Sequence, residues 1–187
     1  MNKLMTRLLT AALVTGALLT GAVTSASAQD KDEQRNVALL LMAYDQFPTA
    51  EAFKQVSANP RAVILSIYRD PASKPIVRLQ ALDALSLFPN EEVRELYKGI
   101  LAKGWADEAP GEAHRAINGL MHGFGTDALA DVAPMLNDKD IQIRMTAIEA
   151  IFNSGKEEGQ RLLKARLDKE NHPVVRDLLV KRTLSVQ

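Results

Sequence analysis

Hydrophobic residues recur along this chain at intervals of three and four, the spacing of one face of an α-helix. In one segment they fall at Val77, Ala81, Ala84 and Leu85, with polar residues between them. No comparable stretch shows the alternation of a β-strand. Helices are therefore predicted near residues 31–45, 49–58, 61–69, 75–88, 91–103, 111–123, 127–137, 140–153, 157–168 and 173–184.

Turn residues separate these segments where helices should start or stop. Asn90 precedes two glutamates and is the expected N-cap of its helix. Gly125 and Gly155 are placed for the left-handed conformation that ends helices. Pro134 is an exception, because it lies inside a helical pattern and should kink or shorten that helix. Other prolines fall at predicted first-turn positions, where their missing N–H does no harm: Pro60, Pro75, Pro110 and Pro173.

One sequence pattern, called the repeated phrase below, occurs in several of the predicted helices. The segment 75–85 reads PIVRLQALDAL, the segment 141–151 reads IQIRMTAIEAI, and a weaker copy begins at Pro173. Aligning Ala81, Ala116, Ala147 and Leu179 gives intervals of 35, 31 and 32 residues. Repeats of this length without strands indicate stacked helical hairpins. The predicted fold is all-α, a solenoid of four to five antiparallel hairpins.

The N-terminus has the pattern of a signal peptide. Lys3 and Arg7 precede an uncharged stretch, 8–23, that ends in the small residues Ala26-Ser27-Ala28. We therefore expect residues 1–28 to be removed after Ala28 and residues 29–187 to form one exported domain, periplasmic or secreted, in a bacterium. An uncleaved membrane anchor is the alternative, although two glycines and several hydroxyl residues weaken it. No stable membrane insertion is expected after cleavage.

Composition narrows the function classes. The formal charge is zero, which gives no general attraction to nucleic acid, and aromatic residues make up only 5%. There is no cysteine, so neither a disulfide nor a lipidated cysteine is possible, and the exported domain must be stabilised by packing alone.

The repeated phrase resembles the HEAT-like repeats, especially the short variety of bacterial proteins. The resemblance rests on the Val/Ile-Arg-x-x-Ala-x-x-Ala-Leu core at Arg78 and Arg144, and partly at Arg176. It implies an armadillo-type superhelix in which an acid braces each helix start and an arginine connects units. The implied structural ladder pairs Asp70 with Arg78, Asp138 with Arg144, and Asp168 with Arg176. The third unit departs from the pattern at Ala113 and Gly119.

No catalytic or cofactor motif emerges. His114 and His122 share a helical stripe but lack the third ligand and the spacing of a zinc site. The glycine-rich segment 119–125 follows a helix and lacks the Lys-Ser/Thr of a phosphate-binding loop. No serine lies in a nucleophile elbow. We therefore expect no catalytic residue, no metal and no cofactor.

The candidate binding residues lie on predicted second helices and in one loop. If the second helices line the inner curve of the solenoid, their exposed stripes carry Arg94, Lys98, Arg161 and Lys164. A solvated helix face with internal charge pairs is the competing interpretation. Trp105 is either an exposed anchor or folds back over the irregular third unit.

These patterns predict a noncatalytic exported scaffold that binds a protein partner and no nucleic acid. The alternative is an envelope enzyme or lyase-like accessory factor on the same helical scaffold, since repeat folds serve many activities.

Overall fold

A computed structural model describes residues 20–43, 47–103 and 110–184 of the chain, with side chains from Asp30 onward except Pro110. Within those ranges every regular element is helical, as predicted. In chain order these are α1 (Thr20–Leu41), α2 (Ala50–Val56), α3 (Pro60–Arg69), α4 (Pro75–Leu85), α5 (Glu91–Ala102), α6 (Pro110–Phe124), α7 (Leu129–Val132), α8 (Ile141–Ser154), α9 (Lys156–Leu167) and α10 (Pro173–Leu184).

The predicted N-cap and the first-turn prolines are confirmed, whereas α1 begins at Thr20 and ends at Leu41, so the predicted bounds 31–45 are wrong. Asn90 Oδ1 accepts a hydrogen bond from the backbone N–H of Val93 at 3.0 Å, so it caps α5. The four first-turn prolines are the opening residues of α3, α4, α6 and α10. Because a proline ring already holds the helical φ angle and the first turn needs no N–H bond, these positions fix where each helix begins.

The helices stack in two layers. The first layer contains the helices of the repeated phrase, α4, α6, α8 and α10, and each packs directly against the next. The second layer contains α5, α7 and α9, which pack mainly against the first layer. That the second helices line the inner curve stays a prediction. Below, "inner" denotes the first-layer side of the stack and "outer" the second-layer side.

The core lies between the layers and consists of small and branched apolar side chains. Ala81, Ala116 and Ala147, the aligned residues of the repeat, are all fully buried. Because alanine adds little bulk, the first-layer helices can approach closely at these positions. The repeat is therefore a packing device, as its periodicity indicates.

The second helix of the third unit is broken, as Pro134 predicts. Gly125–Ala128 and Ala133–Asn137 are 3-10 turns, and only Leu129–Val132 between them is α-helical. A proline removes one helical hydrogen bond and its ring clashes with the preceding turn. Two tighter turns on either side of a short α segment are the result.

Gly119 replaces the expected alanine because of Tyr97 on α5. A Cβ atom on Gly119 would lie 2.5 Å from Tyr97 Cζ and 2.7 Å from its hydroxyl oxygen. That hydroxyl donates a hydrogen bond to the carbonyl of Leu82 at 2.6 Å, and the tyrosine is fully buried. The departure from the repeat pattern therefore accommodates one large side chain that joins α4, α5 and α6.

The two predicted left-handed glycines behave differently. Gly125 has φ +57°, as expected. Gly155 has φ −81°, and the residue with positive φ is its neighbour Lys156, at +51°. A Cβ on Gly155 would lie 2.6 Å from the carbonyl oxygen of Ile151. Gly155 is thus required for close approach, and the strained backbone angle falls on a lysine.

The N-terminal helix is part of the same stack. Val37 and Leu41 of α1 are buried, and α1 packs against α2, α3 and α4. Glu33 accepts a hydrogen bond from the N–H of Ala58 at 2.8 Å. Among the described helices none is long and apolar enough to cross a membrane.

Candidate functional site

The three arginines of the repeated phrase donate hydrogen bonds to backbone carbonyls of the segments that precede their helices. Arg78 Nε donates to the carbonyl of Tyr68 at 3.0 Å, and Arg144 Nη1 donates to that of Asp138 at 2.7 Å. Arg176 Nη1 donates to the carbonyl of Leu167 at 2.7 Å. In each of these three units a guanidinium therefore closes the turn between the preceding helical element and its own helix.

The acidic half of the predicted ladder acts locally. Asp70 accepts from the N–H of Ala72 at 2.9 Å, and Asp138 accepts from the N–H of Asp140 at 2.8 Å, so both carboxylates shape their own turns. Asp168 is the exposed residue that ends α9. The arginine contacts described above go to backbone carbonyls close to these acidic residues.

A buried carboxylate that the sequence analysis did not single out connects two units. Glu170, in the loop before α10, has a side chain only 3% exposed. It accepts from Arg144 Nε at 3.1 Å, from Arg166 Nη2 at 2.6 Å and from the backbone N–H of His172 at 2.8 Å. Burial alone would raise the pKa of Glu170, but these partners outweigh it and hold the pKa below its ordinary value. This cluster joins the last two units.

Arg94, a predicted partner-binding residue, braces two units. Its Nε donates to Asp131 Oδ2 at 2.8 Å and its Nη2 donates to the carbonyl of Asp127 at 2.8 Å. Its guanidinium also lies 5.8 Å from the centre of the Phe124 ring. The hydrogen bond with Asp131 raises the pKa of Arg94. The side chain is thus engaged within the molecule, because successive second-layer elements meet at this position.

The other predicted binding residues lie apart from one another. Lys98 pairs with Glu95 of its own helix at 2.5 Å. Trp105 lies outside the described residues. Arg161 and Lys164 lie on α9 and line a common cavity. The structure therefore brings together two of the five predicted residues, one helix turn apart.

The cavity at Arg161 and Lys164 is a wide, shallow depression of about 580 Å³ on the outer side, at the α8–α9 turn. Its wall is formed by six residues, namely Phe152, Lys156, Glu157, Gln160, Arg161 and Lys164. Three of these are cations and one is a carboxylate, which gives the wall a formal charge of +2. We call it the outer cavity.

The two histidines of α6 connect neighbouring units. His114 Nδ1 lies 2.6 Å from Thr146 Oγ1 on α8, and His122 Nδ1 lies 3.1 Å from Ser86 Oγ after α4. Thr146 already donates to the carbonyl of Gln142, and Ser86 to that of Asp83. Each hydroxyl can then accept from its histidine through a proton on Nδ1, so the two hydrogen bonds connect α6 with α8 and with the end of α4.

A second depression, of about 330 Å³, lies on the inner side and crosses three units near the C-terminal ends of α4, α6 and α8. We call it the inner groove. Its polar residues are Asp83, Ser86, Asn118, His122, Asn153 and Ser154, and its apolar ones include Phe47, Leu87 and Met121.

The inner groove has a negative electrostatic character. Its charged lining residue is the Asp83 carboxylate, its lining contains no lysine or arginine, and helix C-terminal ends add partial negative charge. Sequence reasoning missed this site, although a signal exists. Leu87, His122 and Asn153 each follow the aligned alanine of their unit by six residues, so they share one row of the repeat.

No group of three or more histidine, aspartate or glutamate side chains in the described ranges is arranged to hold a metal ion. The described geometry thus offers polar surfaces in two places, one with a carboxylate and no lysine or arginine and one rich in cations.

Comparison with known families agrees with the architecture. The family of HEAT repeats matches residues 99–181, which run from the end of α5 into α10. Residues 99–181 are therefore HEAT-like repeats, and the all-helical fold of the described residues is consistent with an α-solenoid. The unit with Arg78 lies before the matched segment, yet it has the same arginine-to-carbonyl contact. HEAT repeats commonly mediate protein interactions. No curated protein and no solved structure matches the chain.

Proposed function

We propose that this chain is an exported, noncatalytic scaffold that holds a segment of a partner protein in the inner groove. The observation that carries the proposal is the groove itself. It crosses three successive units and offers exposed polar side chains from α6 and α8, at Asn118, His122 and Asn153. Solenoids use surfaces of this kind to bind extended ligands.

The acceptors in the groove determine the kind of segment that fits. The carboxylate of Asp83 forms an ion pair with Arg115, yet the side chain is still 32% exposed. Together with the amide oxygens of the two asparagines, it can receive N–H groups from the backbone or from lysine and arginine side chains. We therefore expect a partner segment that is extended and basic.

The export part of the proposal is supported by the leader pattern of residues 1–28. The buried residues of α1, Val37 and Leu41, follow the cleavage position, so removal of the leader leaves the described core complete. Sequencing the N-terminus of the protein recovered from the envelope fraction tests this. We expect Gln29 as the first residue, and recovery of chains that begin at Met1 would contradict cleavage.

The binding site is tested by photo-crosslinking in the host cell. A benzoylphenylalanine is placed at Asn118 or Asn153 in the full-length chain, and at Lys139 as the control, because Lys139 is exposed in the loop before α8. We expect the first two positions to label the same basic segment of one protein and the control to label none. Equal labelling from all three positions would contradict the groove assignment.

The noncatalytic part of the proposal is supported by the roles of the histidines, since both ring Nδ1 atoms are used between units. Metal analysis of the purified protein tests it. We expect less than one tenth of an equivalent of iron or zinc, an operational threshold for occupancy. A stoichiometric metal that disappears in the His114→Ala and His122→Ala variants would favour an enzyme.

A further inference from the structure

The outer cavity has a composition that the inner groove lacks. Its cations, Lys156, Arg161 and Lys164, surround an apolar wall provided by Phe152. Arg161 has a nearby carboxylate, Glu157, at 3.8 Å, but both side chains are largely exposed and the pair is weak. The cavity therefore keeps a positive charge that its own residues do not neutralise.

Lys156 sits at this cavity in a backbone conformation that disfavours it. Its φ of +51° is the left-handed region, where an L-residue is less stable than glycine. The preceding residue is a glycine with an ordinary φ. Strain of this kind is concentrated at functional positions, which makes Lys156 a candidate for ligand contact.

Gln160 supplies a polar group in the same wall. Its Oε1 atom is shielded from solvent and has no hydrogen-bond partner. A shielded carbonyl oxygen without a donor is unfavourable, and a ligand that brings an N–H group would satisfy it. A peptide backbone carries such a group at every residue other than proline.

Phe152 gives the cavity a preference for an apolar side chain next to the charges. One contact of its ring is the Arg182 guanidinium, 4.8 Å from the ring centre, which Glu149 holds at 2.8 Å. The ring is therefore fixed in place where it lines the cavity. An apolar side chain of a ligand can lie against it and remove further apolar surface from water.

We infer that the outer cavity binds an acidic peptide segment of a partner protein that also carries an aromatic or aliphatic residue. Carboxylates of the segment pair with Lys156 and Lys164, an apolar side chain packs on Phe152, and a backbone N–H reaches Gln160. Charge complementarity selects this occupant, because an acidic segment neutralises the formal +2 of the wall. This site is separate from the inner groove and does not depend on it.

The test uses the full chain and a fluorescein-labelled ten-residue peptide in which glutamate alternates with phenylalanine, followed by fluorescence anisotropy. We expect binding that weakens at least tenfold in the Lys156→Glu/Lys164→Glu variant. The control variant, Lys54→Glu/Lys74→Glu, makes the same charge change on exposed lysines of earlier units and should change affinity less than twofold. Circular dichroism establishes that both variants are folded.

Three results would overturn the inference. One is an absence of binding by the acidic peptide. Another is an equal loss of peptide affinity in the two double variants, which would show that only the net charge of the protein matters. The third is equal binding of a ten-nucleotide single strand, which would make the cavity a general polyanion site. A peptide with lysine in place of glutamate should not bind there. Failure of the inner-groove crosslinks would leave this result unaffected.

Discussion

The buried cluster around Glu170 allows a sharp test of what holds the units together. Replacing Glu170 by glutamine keeps the shape of the side chain but removes its charge. Arg144 and Arg166 would then face each other with side chains 10% and 13% exposed and no carboxylate between them. The amide NH2 of the new glutamine would also face a guanidinium, and both groups are hydrogen-bond donors.

The size of the effect follows from these contacts. Hydrogen bonds to charged groups contribute about 1.5–3 kcal/mol each and neutral ones about 0.5–1.5 kcal/mol. Removing one partner of a buried ion pair lowers stability by about 3–5 kcal/mol. In the variant, Arg144 and Arg166 still donate hydrogen bonds to the backbone carbonyls of Asp138 and Leu136. The loss of stability should therefore lie near the lower end of this range. We expect Glu170→Gln to lower the free energy of unfolding by about 3 kcal/mol.

The assay is urea unfolding followed by far-ultraviolet circular dichroism. With a denaturant dependence of about 2 kcal/mol per molar urea, the midpoint should fall by about 1.5 M. Glu157→Gln is the matched control, because Glu157 also lies four residues from an arginine but its side chain is 93% exposed. Its loss should stay below about 0.5 kcal/mol. Equal losses in the two variants would refute the argument that burial gives the Glu170 cluster its strength.

Three further predictions concern packing, strain and pH. Gly119→Ala should lower the free energy of unfolding by about 2 kcal/mol, because the new methyl group overlaps the fixed Tyr97 ring. Gly99→Ala is the control, because Gly99 has open space around it, and it should raise the free energy of unfolding by up to about 1 kcal/mol. Lys156→Gly should raise the thermal midpoint by relieving about 1 kcal/mol of backbone strain, and an unchanged midpoint would contradict the assigned φ. The lowered pKa of Glu170 means that its stabilisation is complete above the ordinary value of 4.5 and is lost as pH falls below it. Unfolding measured between about pH 5 and pH 3 should therefore show a smaller decline in Glu170→Gln than in the parent protein.

Local signals in the sequence were sufficient for the helical class and for several helix ends, although α1 and the end of α4 differ from the predicted bounds. The cap at Asn90 and the break at Pro134 depend on contacts within a few residues, so the sequence alone identifies them. The repeat interval likewise predicts the stacked hairpins, because each unit must bury the same apolar row. The alignment of Ala81, Ala116 and Ala147 in the core follows directly from that interval.

Contacts between units could not be read in the same way. Arg94 looks like an exposed helix residue, and only the position of Asp131 in the next unit shows that it is a brace. Glu170 lies in a polar loop sequence, and its burial depends on two arginines from α8 and α9.

The arginine-to-carbonyl contacts also bear on how the chain folds. The arginines reach carbonyls only ten, six and nine residues away along the chain, at Arg78, Arg144 and Arg176. Closing such short loops loses little chain entropy, so each junction can form before its neighbours exist. Folding can then nucleate at any of the three turns and spread along the array. Because such a unit contains its own arginine-to-carbonyl hydrogen bond, gene duplication can add a further unit without changes in the rest of the chain.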